Sequence, residues 1–220
     1  VLGQSYYAEE RAFKKTYRAY TSIQVTVGCI LSSVSILLIT GFVSLYTKGV
    51  EDIDYQNYLA AILFSFNIIL DCMRGASLAG ANVAGQAPKT TWRYFVEAGI
   101  NLSVSLILVQ FWGIVGVLLG TIISGIWRSF DSIVFFSKRV LHEKPYKELI
   151  YDILNLSVFV FFVILGTFDL LPINSYLSFI LFSVITLILV SIIYFLIFAL
   201  FNKKNIKSFL TMLRHKKQSK

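Results

Sequence analysis

Seven polar side chains set in apolar stretches are the residues of this chain with chemistry to offer. Asp71 and Arg74 stand three apart in "IILDCMRGASLAG", residues 68–80. Glu97, Asn101 and Ser105 follow at i,i+4 spacing, and Arg128 and Asp131 again stand three apart. Guanidinium groups bind phosphate through two parallel hydrogen bonds, so Arg74 and Arg128 are candidate ligands for a phosphorylated substrate. An Asp–Arg pair at i,i+3 can also neutralise itself on one helix. Which chemistry prevails depends on the solvent around these groups, and so on the elements that carry them.

That solvent is a lipid bilayer. Hydrophobic residues make up 56% of the 220 residues and charged residues only 15%, against about a quarter in a soluble domain. Mean hydropathy is +0.72. The run from Leu177 to Phe201 holds no charge and is long enough to cross a hydrocarbon core as a helix, which takes about 20 residues. Six candidate spans are predicted, at 21–46, 57–84, 93–112, 114–138, 149–170 and 177–201. The third and fourth are joined by a tight turn at "FWGI", where Gly113 can take positive φ. No run alternates with period two, which excludes a β-barrel. The expected fold is all-α, a polytopic helical membrane bundle. Residues 1–20 form an amphipathic linker, 21–201 a six-helix lobe, and 202–220 a basic tail.

Charge predicts orientation. Of the 20 Lys and Arg, 17 lie in the N-terminal segment, the loops near 85–93 and 138–147, and the tail, all on one side of six spans. By the positive-inside rule that side is cytoplasmic, with both ends inside. The net charge of +8 therefore has its partner in anionic lipid heads and requires no nucleic acid. Two flanking segments are expected to lie in the cytoplasmic interface as helices. One is 5–20, with a Glu10–Lys14 pair and Phe13, Tyr17 and Tyr20 on one face. The other is the tail, with Ile206, Phe209, Leu210 and Leu213 on one face. Cys29, Cys72, His142 and His215 show no metal or redox spacing, so neither metal nor cofactor is expected. A start at Val1, directly in a charged segment, suggests part of a longer polypeptide.

Charge inside a bilayer costs a few kcal/mol or more and normally faces a bundle interior or a wet cavity. Counting about 1.5 Å per residue from the opposite side, Asp71, Glu97 and Arg128 all fall roughly 20–22 Å down. Arg74 and Asp131 come slightly deeper. Three consecutive spans thus concentrate ionisable groups in one layer, which favours a cavity open to the cytoplasm over scattered static pairs. Small residues provide the seams. Gly116 and Gly120 lead to Ser124 at i,i+4, and Gly75 and Gly80 frame a comparable run on the second span, spacing that lets helices approach closely.

The stretch "GQAPKTTWRYFVEAGINLSVSLILVQFWGIVGVLLGTIIS", residues 85–124, resembles the C-terminal half of bacterial polysaccharide flippases. These are lipid-linked repeat-unit exporters (O-antigen or capsule type) of the multidrug/oligosaccharidyl-lipid/polysaccharide superfamily. The matching pieces are Gly85, Lys89 and Thr90 in the loop, "EAGINLSVS", and "GIVGVLLGT" after the turn. Gln86 departs from the family, which often has a basic residue there. The resemblance implies a two-lobe transporter in the bacterial plasma membrane, this chain being the second lobe and an N-terminal lobe its partner. It implies alternating-access export of an undecaprenyl-pyrophosphate-linked oligosaccharide. Arg74 and Arg128 would hold the pyrophosphate, Asp71, Glu97 or Asp131 would carry coupling ions, and Asn101 would line the cavity.

Other classes are weighed against this. A multidrug exporter of the same superfamily would favour acidic cavity residues without paired arginines. A membrane-embedded polymerase or glycosyltransferase usually places its catalytic groups in a substantial aqueous loop, and the outer loops here are about ten residues or fewer, so no enzymatic activity is expected. A non-transporting scaffold leaves the polar layer unexplained.

Overall fold

The structure is a computed structural model that describes residues 2, 3, 6, 10–50, 55–168 and 171–201, the side chain of residue 147 excepted. The described residues form helices α1 (Glu10–Tyr46), α2 (Tyr58–Val83), α5 (Tyr146–Gly166) and α6 (Tyr176–Phe201), with a helical run Ala87–Phe136 between α2 and α5. Gly113 divides that run, with φ 54° and ψ −131°. Its arms, 87–112 and 114–136, are called α3 and α4.

Among the described residues five helices are long and apolar enough to cross a membrane, one of them carrying both arms. Each arm is roughly 35–39 Å long, against a hydrocarbon core of about 30 Å. The arms fold back on each other, because Gly116 lies against Leu108 and Gly120 against Ser105. The described helices therefore supply six segments long enough to cross, and the chain is a multi-pass membrane protein. Its outer surface agrees: Ile180, Leu181, Ile188, Leu189 and Leu196 of α6, and Leu102 and Leu106 of α3, are exposed. A water-soluble surface would not carry apolar patches of that extent.

Local signals set the ends. Asn57 accepts from the Ala60 N–H at 2.9 Å and caps α2. Gly85, at φ +68°, stops it, and a proline in the first turn starts α3. Ser175 and Ser178 bond reciprocally to each other's backbone N–H, a capping box at the start of α6. After α4 the helix widens into a π turn, Ser137–Leu141. It closes at His142, which is left-handed at φ 54°, with the Glu143 N–H on the Ser137 carbonyl at 3.0 Å.

α1 is the hub. It packs on α2, α5 and α6, while α2 packs in turn on the α3–α4 hairpin. One core, built on Val25, Cys29, Ile36, Ile69, Phe159, Phe162, Val190 and Tyr194, joins α1, α2, α5 and α6. A second, built on Phe13, Tyr17, Ala76, Ala81, Phe136 and Leu141, closes the end where the basic loops lie.

One expectation is corrected there. Residues 10–20 are not a separate interfacial helix but the first three turns of α1. Phe13 and Tyr17 pack on the Phe136 ring, at centroid distances of 6.3 and 4.5 Å, and the Tyr17 hydroxyl bonds Ser77 Oγ at 2.8 Å. Only Tyr20 of the expected apolar face stays exposed. With no helix breaker between Lys15 and Ser22, continuing the helix satisfies every backbone group, and two aromatic rings gain a buried site. The expected tail helix, 202–220, lies outside the described residues.

Candidate functional site: a balanced ion-pair network and an unbalanced carboxyl

The hairpin sets a register. With the chain reversing at Gly113, residues equally far from the turn face each other across α3 and α4. Glu97 thus meets Arg128, its Oε2 at 3.4 Å from the guanidinium Nε, and Arg93 bonds the Asp131 carboxylate. Ser105 donates to the Val117 carbonyl at 3.2 Å near the top of the same seam. The seam needs glycine. A Cβ on Gly116 would overlap the Leu108 carbonyl, and one on Gly120 would lie 2.8 Å from the Ser105 backbone nitrogen. On α2, a side chain on Gly75 would overlap the Gln24 amide, and one on Gly80 the Phe136 ring.

α2 completes the site. Arg74 pairs with Asp71 on its own helix, Nη2 to Oδ1 at 2.5 Å, and with Glu97 across the α2–α3 interface. Arg128 also approaches Asp131 at 3.5 Å. The result is an unbroken chain of six groups, Asp71–Arg74–Glu97–Arg128–Asp131–Arg93, with three positive and three negative charges. Aromatic faces support the cations. The Arg128 guanidinium lies 4.2 Å from the Tyr94 ring centre and that of Arg93 4.4 Å from the Phe135 ring centre, where ring quadrupoles attract positive charge.

Exposure is lowest at Arg128 and rises on either side of it. The Arg128 side chain is 1% exposed, Glu97, Arg74 and Asp71 are 19%, 21% and 51%, and Asp131 and Arg93 are 25% and 15%. Arg128 is thus the anchor, holding two carboxylates in the interior, while Asp71 and Arg74 form the rim a ligand would meet first. Arg128 still has unused donors, since its Nε and Nη2 lack hydrogen-bond partners. Asn101 is outside the network, one turn beyond Glu97, and its Oδ1 accepts from Ser105 Oγ at 3.0 Å.

Arg93 completes the charge balance and was missing from the candidates read in the sequence. Its signal was available: once Gly113 is taken as a hairpin, Arg93 falls opposite Asp131 by the same count that sets Glu97 opposite Arg128. A second group was missed outright. On α5, Asp152 and Asn155 are 1% and 0% exposed, and neither Asp152 oxygen nor Asn155 Oδ1 has a hydrogen-bond partner. The neighbouring Tyr151 hydroxyl is already engaged, bonded to Thr26 Oγ1 at 2.5 Å. The i,i+3 spacing of Asp152 and Asn155 was legible in "YKELIYDILNLS", within the predicted span 149–170.

No family model matches the chain, and neither does any curated protein or solved structure. The functional reading therefore rests on the site.

Proposed function

We propose that this chain is one lobe of a transporter in the bacterial plasma membrane. It exports a lipid-linked sugar unit by alternating access, with both termini cytoplasmic and an N-terminal lobe as its partner. The substrate is an undecaprenyl-pyrophosphate-linked oligosaccharide, and its pyrophosphate binds at the Arg74 rim of the network. The observation that carries this reading is the set of three arginines gathered in one ion-pair network, with Arg74 partly exposed beside Asp71. A phosphate group is the ligand best suited to replace carboxylates on a guanidinium, since it presents the same paired oxygens with more charge. The exchange leaves Asp71 and Glu97 free, so binding is coupled to a rearrangement of α2 against α3. No catalytic group is required.

One observation favours a second reading. Asp71, the most exposed member of the network, is acidic, which is what an exporter of hydrophobic cations would present. Two variants of the full-length protein separate the two. For phosphate export, Arg74→Ala abolishes transport, measured as lipid-linked precursor accumulating on the cytoplasmic side, and Arg74→Lys loses part of it by losing the planar two-donor fork. Asp71→Asn is then the milder change. If Asp71→Asn abolishes resistance to a cationic compound while Arg74→Ala spares it, the drug-exporter reading replaces this one. Swapping the pair (Asp71→Arg with Arg74→Asp) sets a carboxylate against Glu97, so the swap disturbs the network whatever the substrate.

A further inference from the structure

The α5 carboxyl has no place in the network just described. Glu148, Asp152, Asn155, Phe159 and Phe162 recur at intervals of four, three, four and three, so they lie along one face of α5. That face turns inward, with Phe159 2% and Phe162 4% exposed beyond the two polar residues. At the basic end the ladder reaches loop groups. Glu148 accepts from Ser137 Oγ at 2.9 Å and feels the charge of Arg18, and Arg18 pairs with Glu143. At the other end it stops, since Phe159 and Phe162 are apolar and the Phe162 ring packs on Tyr194. The ladder is polar from the basic end to Asn155 and blocked beyond it.

The titratable groups near enough to interact electrostatically with Asp152 are Glu148 and Tyr151 from α5 and Tyr17 and Cys29 from α1. None of them is a cation. Among the described residues no Lys, Arg or His pairs with Asp152, and no N–H or O–H donates to it. An ionised carboxylate left in that state inside a membrane protein costs several kcal/mol, whereas the network shows what this fold does where it keeps charge. A single proton resolves the shortage. It removes the charge and supplies an O–H donor on the helix face where Asn155 Oδ1, three residues on, lacks one.

We propose that Asp152 is a proton-binding site, loaded from the basic end of the bundle past Glu148 and closed toward the opposite end by Phe159 and Phe162. The site is separate from the arginine network. Only its use rests on the transport reading: in an alternating transporter, opening of the Phe159–Phe162 block would release the proton to the opposite side and tie substrate movement to a proton gradient.

The test is reaction with dicyclohexylcarbodiimide, an apolar reagent that adds across the O–H of a protonated carboxyl in a membrane. Full-length protein in liposomes is treated over a range of pH, and the modified residue is located by mass spectrometry. The expected result is adduct on Asp152 that falls as pH rises, is the same in sodium and in potassium buffer, and is lost in Asp152→Asn. Glu97 and Asp131, held by arginines, remain unmodified in the same sample. Two results overturn the proposal: no adduct on Asp152 at any pH, or protection of Asp152 by sodium alone, which would make it a metal-ion site. Labelling requires no substrate, so it stands even if the export assay fails, and a failure here leaves the phosphate reading of Arg74 untouched.

Discussion

The α2–α3–α4 network and the α1–α5 carboxyl are two answers to one problem, buried charge in a membrane bundle. In the network every carboxylate has a guanidinium and every guanidinium has a carboxylate or an aromatic face. At Asp152 no described residue balances the charge. The network lies on α2, α3 and α4 and the carboxyl on α5, with α1 packed against both α2 and α5. Pairing makes a region costly to take apart, since each member protects another. A lone carboxyl costs little to neutralise and can cycle between charged and neutral forms. The fold thus separates a site suited to holding an anionic ligand from one suited to holding a proton.

The sharpest way to break the comparison is to remove the anchor. Arg128→Ala leaves Glu97 and Asp131 short of a partner in the interior, a change that typically costs about 3–5 kcal/mol when one member of a buried pair is lost. The expected outcome is a large fall in membrane abundance and in the melting temperature of the purified protein. Little change in either would mean that the network is solvated and its charges need no mutual pairing.

The next effect comes from the seam that sets the register. Gly120→Leu forces α4 off the Ser105 backbone, and overpacking of this kind costs about 1–3 kcal/mol. It also moves Arg128 away from Glu97. Abundance falls, and a disulfide engineered between positions 97 and 128 forms less readily than in the parent. Unchanged cross-linking would show that the hairpin tolerates separation and that the ion pairs, not the glycines, hold it.

The smallest effect belongs to Asp152. Asp152→Asn keeps the shape and removes a carboxyl that no described residue pairs, so melting temperature holds or rises slightly, opposite in sign to Arg128→Ala. Stability that depends on pH through Asp152 disappears in this variant. A large loss of stability in Asp152→Asn would place a cation beside it and erase the contrast between the two regions.

Much of this was legible from residues alone. Composition and run length identify a membrane bundle because the bilayer admits few backbone solutions, and a helix satisfies its own hydrogen bonds. Gly113 between two apolar runs marks the hairpin because only glycine takes that φ readily. Depth was countable as well, at a fixed rise per residue, and it set Asp71, Glu97 and Arg128 in one layer. The extent of α1 was misread. The charge of residues 10–20 suggested an interfacial segment, yet the chain simply continues as helix and tucks Phe13 and Tyr17 under Phe136.

What the chain alone determined, then, is how far along the membrane normal each charge lies. What the tertiary structure decided is the rotation of each helix about its own axis, and so which charge has a partner. Arg74 reaches Glu97 because α2 turns that face toward α3, while α5 turns Asp152 into a core where no described residue offers it a cation. Rise per residue is a property of the helix itself. Rotation is set by the packing of glycines, rings and aliphatic chains across every interface at once, and no single stretch of sequence contains it.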